Sequence, residues 1–181
     1  MLPRDRQERD AMTSSLKNEP PIASSEHRAA FVVFGMAETL PADRFPPPLR
    51  IVFDYWRRKA GNRVAPRRQD LDPIDIPRAL ANVMLWDVAD NGESFICRLA
   101  GTIACDTARR ELRGKTLEAM PWEPAQAAAE FRSVASTLMP YYVERRLTWA
   151  QRSHENYQRL LLPLSEDQRQ ATMLLAVLYF S

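Results

Sequence analysis

The stretch from residue 141 to residue 180 constrains the fold most. Tyr141 to Ala150 alternates, with Val143, Arg145, Leu147 and Trp149 opposed to Tyr142, Glu144, Arg146 and Thr148. Alternation of this kind sends successive side chains to opposite faces of a strand. A polar turn, Arg152 to Asn156, leads into Tyr157–Leu164, whose Leu160-Leu161-Leu162 run suits a strand covered on both faces. Ser165-Glu166-Asp167-Gln168 is the next turn, and Thr172 to Phe180 is nearly all apolar. Parallel neighbours need a crossover of about a dozen residues or more, and these turns are far shorter. The chain is therefore expected to end in an antiparallel meander.

Upstream, the period changes. Leu49, Val52, Phe53 and Trp56 stand at i, i+3, i+4 and i+7, which predicts a helix from Leu49 to Ala60 with one apolar stripe. Ile51 and Tyr55 widen the stripe on one flank. The Pro46-Pro47-Pro48 run pre-sets its start, and Gly61 is the candidate for its C-terminal cap. Two readings of the stripe stay open: it packs on its own domain, or it meets a second copy of the chain. Val83 to Val88 reads as a strand, Asp90-Asn91-Gly92 as a hairpin turn, and Phe95 to Thr102 as the partner strand. Alternation puts Phe95, Cys97 and Leu99 on one face. Ile103 to Leu112 is a short helix, Thr116 to Met120 a connector, and Trp122 to Met139 a long helix burying Ala127, Phe131, Val134, Ala135 and Leu138. The expected architecture is α+β with one antiparallel sheet.

Residues 1–46 have a different character. Charges of both signs mix with Ser, Thr and Pro without a lasting period, which predicts a flexible tail with a transient strand at Phe31 to Phe34. The organised domain is expected over residues 47–181. A translation start at Met36 is one expectation for the tail, and a native extension over residues 1–35 is the other. The first apolar patch, Ala29 to Ala37, is short and far from Met1, a poor signal peptide. No apolar run reaches the roughly 18 residues a membrane-spanning helix needs, so a cytoplasmic protein is expected.

Charge narrows the function. The net charge is +2, too small for a dedicated nucleic-acid binder. Arg57, Arg58, Lys59, Arg63, Arg67 and Arg68 nevertheless form a basic run, and Arg57–Arg68 is the segment an alternative, nucleic-acid- or phosphate-binding function would use. Asp70, Asp72 and Asp75 read as turn and cap residues, with Asp75 capping the short helix that follows Pro77, since Pro73 and Pro77 interrupt any calcium-loop pattern. The two cysteines, Cys97 and Cys105, lack metal or redox spacing. Ser153-His154-Glu155 are adjacent on a turn and cannot converge as a catalytic triad does. Glu118 and Glu123 have no cleft to share. No catalytic residue and no metal site is expected.

The order helix, strand, strand, short helix, long helix and three strands is that of a PAS domain. The wording of the chain carries the resemblance further. Residues 54–80, DYWRRKAGNRVAPRRQDLDPIDIPRAL, resemble the opening of a PAS-like family common in alphaproteobacteria. FICRLAGT (95–102), RRELRGKTL (109–117) and LLLPLSED (160–167) resemble its later blocks. The resemblance implies a five-stranded antiparallel sheet holding helices on one face, here preceded by the amphipathic helix. It also implies a sensory or adaptor role in bacterial signalling, with a homodimer or another protein as partner and a small molecule as possible ligand. No kinase, cyclase or helix-turn-helix block is recognised, so any signal is expected to leave by protein contact. Nothing resembles the cysteine block of a flavin PAS domain. His27 in the tail and His154 in a turn are poor haem ligands, so no cofactor is expected. A PAS pocket lies between sheet and helices. Its candidate residues here are Cys97, Leu99, Trp149 and Leu161, with Arg98 as a clamp for an anionic ligand where it faces inward; the other readings are an Arg98 that faces solvent or pairs with an acid, and a filled core in place of an open cavity. The candidates for a dimer helix are Leu49, Val52, Phe53 and Trp56.

Overall fold

The computed structural model describes residues 29–121, 127–146 and 156–181. Six strands form one open antiparallel sheet: β1 (Ala29–Phe34), β2 (Val83–Ala89), β3 (Ser94–Ala100), β4 (Tyr141–Arg146), β5 (Asn156–Leu164) and β6 (Met173–Phe180). The spatial order is β1-β4-β5-β6-β2-β3. The meander β4-β5-β6 is contiguous, and the hairpin β2-β3 joins it through β6. Asp90, Asn91 and Gly92 all have positive φ in the β2–β3 connection, the conformation that an Asp-Asn-Gly turn favours. The sheet has six strands rather than the expected five. The sixth is β1, which pairs with β4 from Ala29 opposite Arg145 to Phe34 opposite Tyr141.

Three helices cover the sheet: α1 (Pro47–Ala60), α2 (Thr102–Ala108) and α3 (Ala127–Thr137). They do not share a face. α2 and α3 cover one side, where Phe131 and Val134 meet Trp86, Phe95, Cys97, Val143, Tyr157 and Leu161. α1 covers the other, where Leu49, Val52, Phe53 and Trp56 meet Leu85, Leu160, Leu162, Leu175 and Val177. The two helices α2 and α3 share one face as expected, and the N-terminal amphipathic helix takes the opposite one. The run Leu160-Leu161-Leu162 explains why both faces need a cover, since its members alternate between the two layers.

The stripe of α1 is used up inside the chain. Leu49, Val52, Phe53 and Trp56 are all buried against the sheet and the segment before the helix, where Phe45 stacks edge-on to Phe53 at 5.5 Å. Burial of such side chains stabilises by about 1.5–3 kcal/mol each. The Trp56 indole also donates to the Pro163 carbonyl at 2.8 Å. Pro163 lies beyond the end of the β4–β5 ladder, which stops at Tyr141 opposite Leu161, so its missing N–H breaks no bond there. These four side chains are thus buried within their own chain, the first of the two readings of the stripe.

Gly101 marks where β3 hands over to α2. Its N–H donates to the Val83 carbonyl at 2.7 Å, and a Cβ there would stand 2.4 Å from the Ala81 carbonyl oxygen. Only glycine fits that approach. The expected short helix after it begins at Thr102 and ends earlier than expected, at Ala108, with Arg109 left-handed as its cap.

Candidate functional site

The pocket candidates separate. Cys97 and Leu161 are fully buried and face the same layer, the one under α2 and α3. Leu99 does not join them. In the β2–β3 ladder Trp86 pairs with Cys97 and Leu85 with Leu99, so Arg98 is an extra residue in β3. Such a bulge breaks the alternation. It turns Leu99 to the α1 side, where it is 49% exposed and lines a small apolar hollow with Tyr55, Leu80 and Leu85. Arg98 is exposed and its Nε bonds Asp87 at 2.7 Å, which holds the guanidinium charged above its ordinary range. It is therefore no clamp inside a pocket. Trp149 lies outside the described residues, as do Ser153, His154, Glu155, Glu123 and His27.

The basic segment is also accounted for locally. Lys59 meets Asp75 at 3.1 Å and Arg63 meets Asp70 at 2.8 Å, while Arg57 and Arg67 stand 4.0 Å from Glu38 and Glu166. Arg58 lies over the Tyr55 ring at 5.5 Å, and Arg68 donates to the Leu71 carbonyl. The Arg67 backbone N–H, with Arg63 beside it, holds the Asp70 carboxyl below the ordinary carboxylate range. Asp72 accepts from the Ile74 N–H and caps its turn, whereas Asp75 reaches Lys59 instead of capping. Cations already matched to acids leave little field for a polyanion. Among the described residues no group of three or more metal-ligating side chains occurs, and no helix is long and apolar enough to cross a membrane.

The polar group that stands out lies in the α3 layer. Arg145 on β4 and Arg159 on β5 sit at the inward phase of their strands, with Val143, Tyr157 and Leu161. Glu130 on α3 sits on the buried stripe of its helix, between Ala127 and Phe131. One Glu130 oxygen accepts from Arg145 and from the Tyr141 hydroxyl, the latter at 2.9 Å, and the other accepts from Arg159. The side chains of Arg159, Arg145 and Glu130 are 0%, 5% and 11% exposed. The Arg159 guanidinium lies over the Phe131 ring at 5.1 Å, and that ring meets Trp86 at 5.4 Å and Phe95 at 5.2 Å, each edge-on. Burial and then the Glu130 charge push the Tyr141 hydroxyl well above its ordinary range, so it stays a donor. Nε and Nη1 of Arg145 and Nε1 of Trp86 are buried without an acceptor among the described residues.

The sequence carried a signal for this cluster. Arg145 falls in phase with Val143 on an alternating strand, and Glu130 is one turn from Ala127 and Val134 on an otherwise apolar face. Charges of opposite sign at two buried phases are the pattern of an internal ion pair. Arg98 drew the anion-clamp reading as the charged residue of an otherwise apolar strand, and its alternative, an exposed arginine paired with an acid, is what the bond to Asp87 shows.

The family model described as a PAS domain matches residues 44–179. That span holds α1 to α3 and the five strands β2 to β6, and leaves β1 outside. No curated protein and no solved structure matches the chain.

Proposed function

Since the chain belongs to the PAS domain family, we propose that it is a sensory domain that binds a small ligand between the sheet and α3. It passes its state on by protein contact, with a second copy or with a different partner. Domains of this family serve as sensory or signalling modules, and the reading here is of a binding protein rather than an enzyme.

The observation that supports the ligand reading is the difference between the two layers. The α1 layer is a packed apolar interface with the Trp56 indole bond at its edge. The α3 layer carries two buried guanidinium groups around one carboxylate. Burying each ion costs several kcal/mol, and apolar side chains of similar volume would hold α3 at least as well. Stability gives no reason to keep the ions, while recognition of a polar ligand does.

Native mass spectrometry of the purified protein, repeated under denaturing conditions, tests this. The expected result is a small added mass in the native spectrum that is lost on denaturation. A bare chain in both spectra, with no melting-temperature response to a panel of cellular metabolites, would refute the ligand reading and leave an adaptor.

A further inference from the structure

We propose that Arg145 anchors a carboxylate site and that its ligand is a small organic monocarboxylate. The inference rests on the ligand-sensor reading above and gives the ligand its chemical class. Arg145 reaches from β4 into the α3 layer, and one of its nitrogens is bonded to Glu130. Nε and Nη1 are buried and have no acceptor among the described residues. A guanidinium has five N–H donors and keeps its proton in proteins. Buried donors of that kind are nearly always paired, so their orphaned state marks where an acceptor belongs. Glu130, the acid paired with Arg145, is divided between Arg145, Arg159 and the Tyr141 hydroxyl. Among the described residues, then, no acceptor faces Nε and Nη1 of Arg145.

The surroundings select among anions. A carboxylate is flat, accepts only, and matches a guanidinium through two parallel bonds. A dianion would bring a second charge among Val143, Tyr157 and Phe131, all buried, at a heavy desolvation cost. A halide has no apolar part to use those same side chains. Glu130 is itself a carboxylate held by this arginine, so the pair already displays the chemistry of the ligand. The incoming acid takes Arg145, while Glu130 stays on Arg159 and Tyr141. α3 then loses one of its ties to β4, which couples occupancy to the position of the helix.

The test is a thermal-shift titration of the full chain with acetate, propionate and butyrate, against chloride and phosphate at matched ionic strength. The expected result is a dose-dependent rise in melting temperature with the carboxylates, strongest for the longer chains, and none with chloride or phosphate. Arg145→Met is expected to weaken the response at least about tenfold, the range for a lost charge-assisted bond. Arg146→Gln, one residue on and exposed, is expected to leave it unchanged. Glu130→Gln removes the competing carboxylate and is expected to tighten carboxylate binding, an effect opposite in sign to its effect on stability. That variant keeps the proposal open to refutation if Arg145→Met does not fold. Equal responses in wild type and Arg145→Met, or weaker binding in Glu130→Gln, would overturn the proposal. A neutral molecule retained in the native spectrum with no carboxylate response would overturn it too and leave the sensor reading standing, whereas no ligand of any kind removes both.

Discussion

Replacing Glu130 by Gln removes one negative charge from between two buried guanidinium groups and turns an acceptor into a donor that faces them. In the native protein the two carboxylate oxygens take Arg145, Arg159 and the Tyr141 hydroxyl. The amide keeps one acceptor, so at least one arginine loses its counter-charge while remaining dry. Breaking a buried pair on one side costs about 3–5 kcal/mol, because the surviving ion stays buried. At roughly 2–4 °C per kcal/mol for a domain of this size, the melting temperature is expected to fall by about 6–20 °C. Urea denaturation followed by far-ultraviolet circular dichroism gives the free energy directly, and an unchanged m-value shows that the native and denatured states keep their compactness. Asp54→Asn is the control. Its carboxylate pairs with Arg50 at 2.7 Å, but both side chains are half-exposed, so the loss is expected to stay within about 1 kcal/mol. Replacing Glu130, Arg145 and Arg159 together by Leu, Met and Met is expected to recover most of the loss, since no ion is then left unpaired. A Glu130→Gln loss no larger than that of Asp54→Asn would refute the reasoning, because it would mean that water screens the cluster.

Other consequences follow from the packing. Gly101→Ala drives a Cβ to within 2.4 Å of the Ala81 carbonyl, and equilibrium unfolding is expected to show a loss of about 1–3 kcal/mol or more. Leu49→Ala, in the middle of the α1 layer, is expected to cost about 2–5 kcal/mol in the same assay. It is also expected to leave the sedimentation coefficient unchanged, since the stripe meets its own sheet. Thiol labelling with a chromogenic disulfide is expected to be biphasic: Cys105, partly exposed, reacts first. Cys97 is fully buried, and burial, followed by the neighbouring Cys105 and Glu111, pushes its thiol up to about 12, so it reacts only as the protein unfolds. Rapid labelling of both would show that the α3 layer opens far more often than its packing implies.

The fold was legible where a pattern had a single physical reading. The meander β4 to β6 and the hairpin β2–β3 follow from alternation and from turns too short for anything but antiparallel neighbours. The stripe Leu49, Val52, Phe53, Trp56 named the buried face of α1 but carried no information on what it meets. The answer lay in Leu160-Leu161-Leu162, whose alternating burial demands a cover on each face. β1 was read only as a transient strand over Phe31 to Phe34, because edge strands are stabilised by ladder bonds to a distant partner, here β4, rather than by their own pattern. The candidate site was half legible. Cys97 and Leu161, read as inward-facing, do face one layer, under α2 and α3. Leu99 was missed, because the extra residue at Arg98 changes which face the next side chain takes without changing the composition around it.

Hydrogen exchange with and without saturating butyrate tests the central claim most directly. The account predicts that amide protection changes within α3, residues 127–137, and along β4 at Arg145, while α1, residues 47–60, keeps its protection because among the described residues its layer holds no buried ion pair. Unchanged exchange in α3, or a change confined to α1, would contradict it.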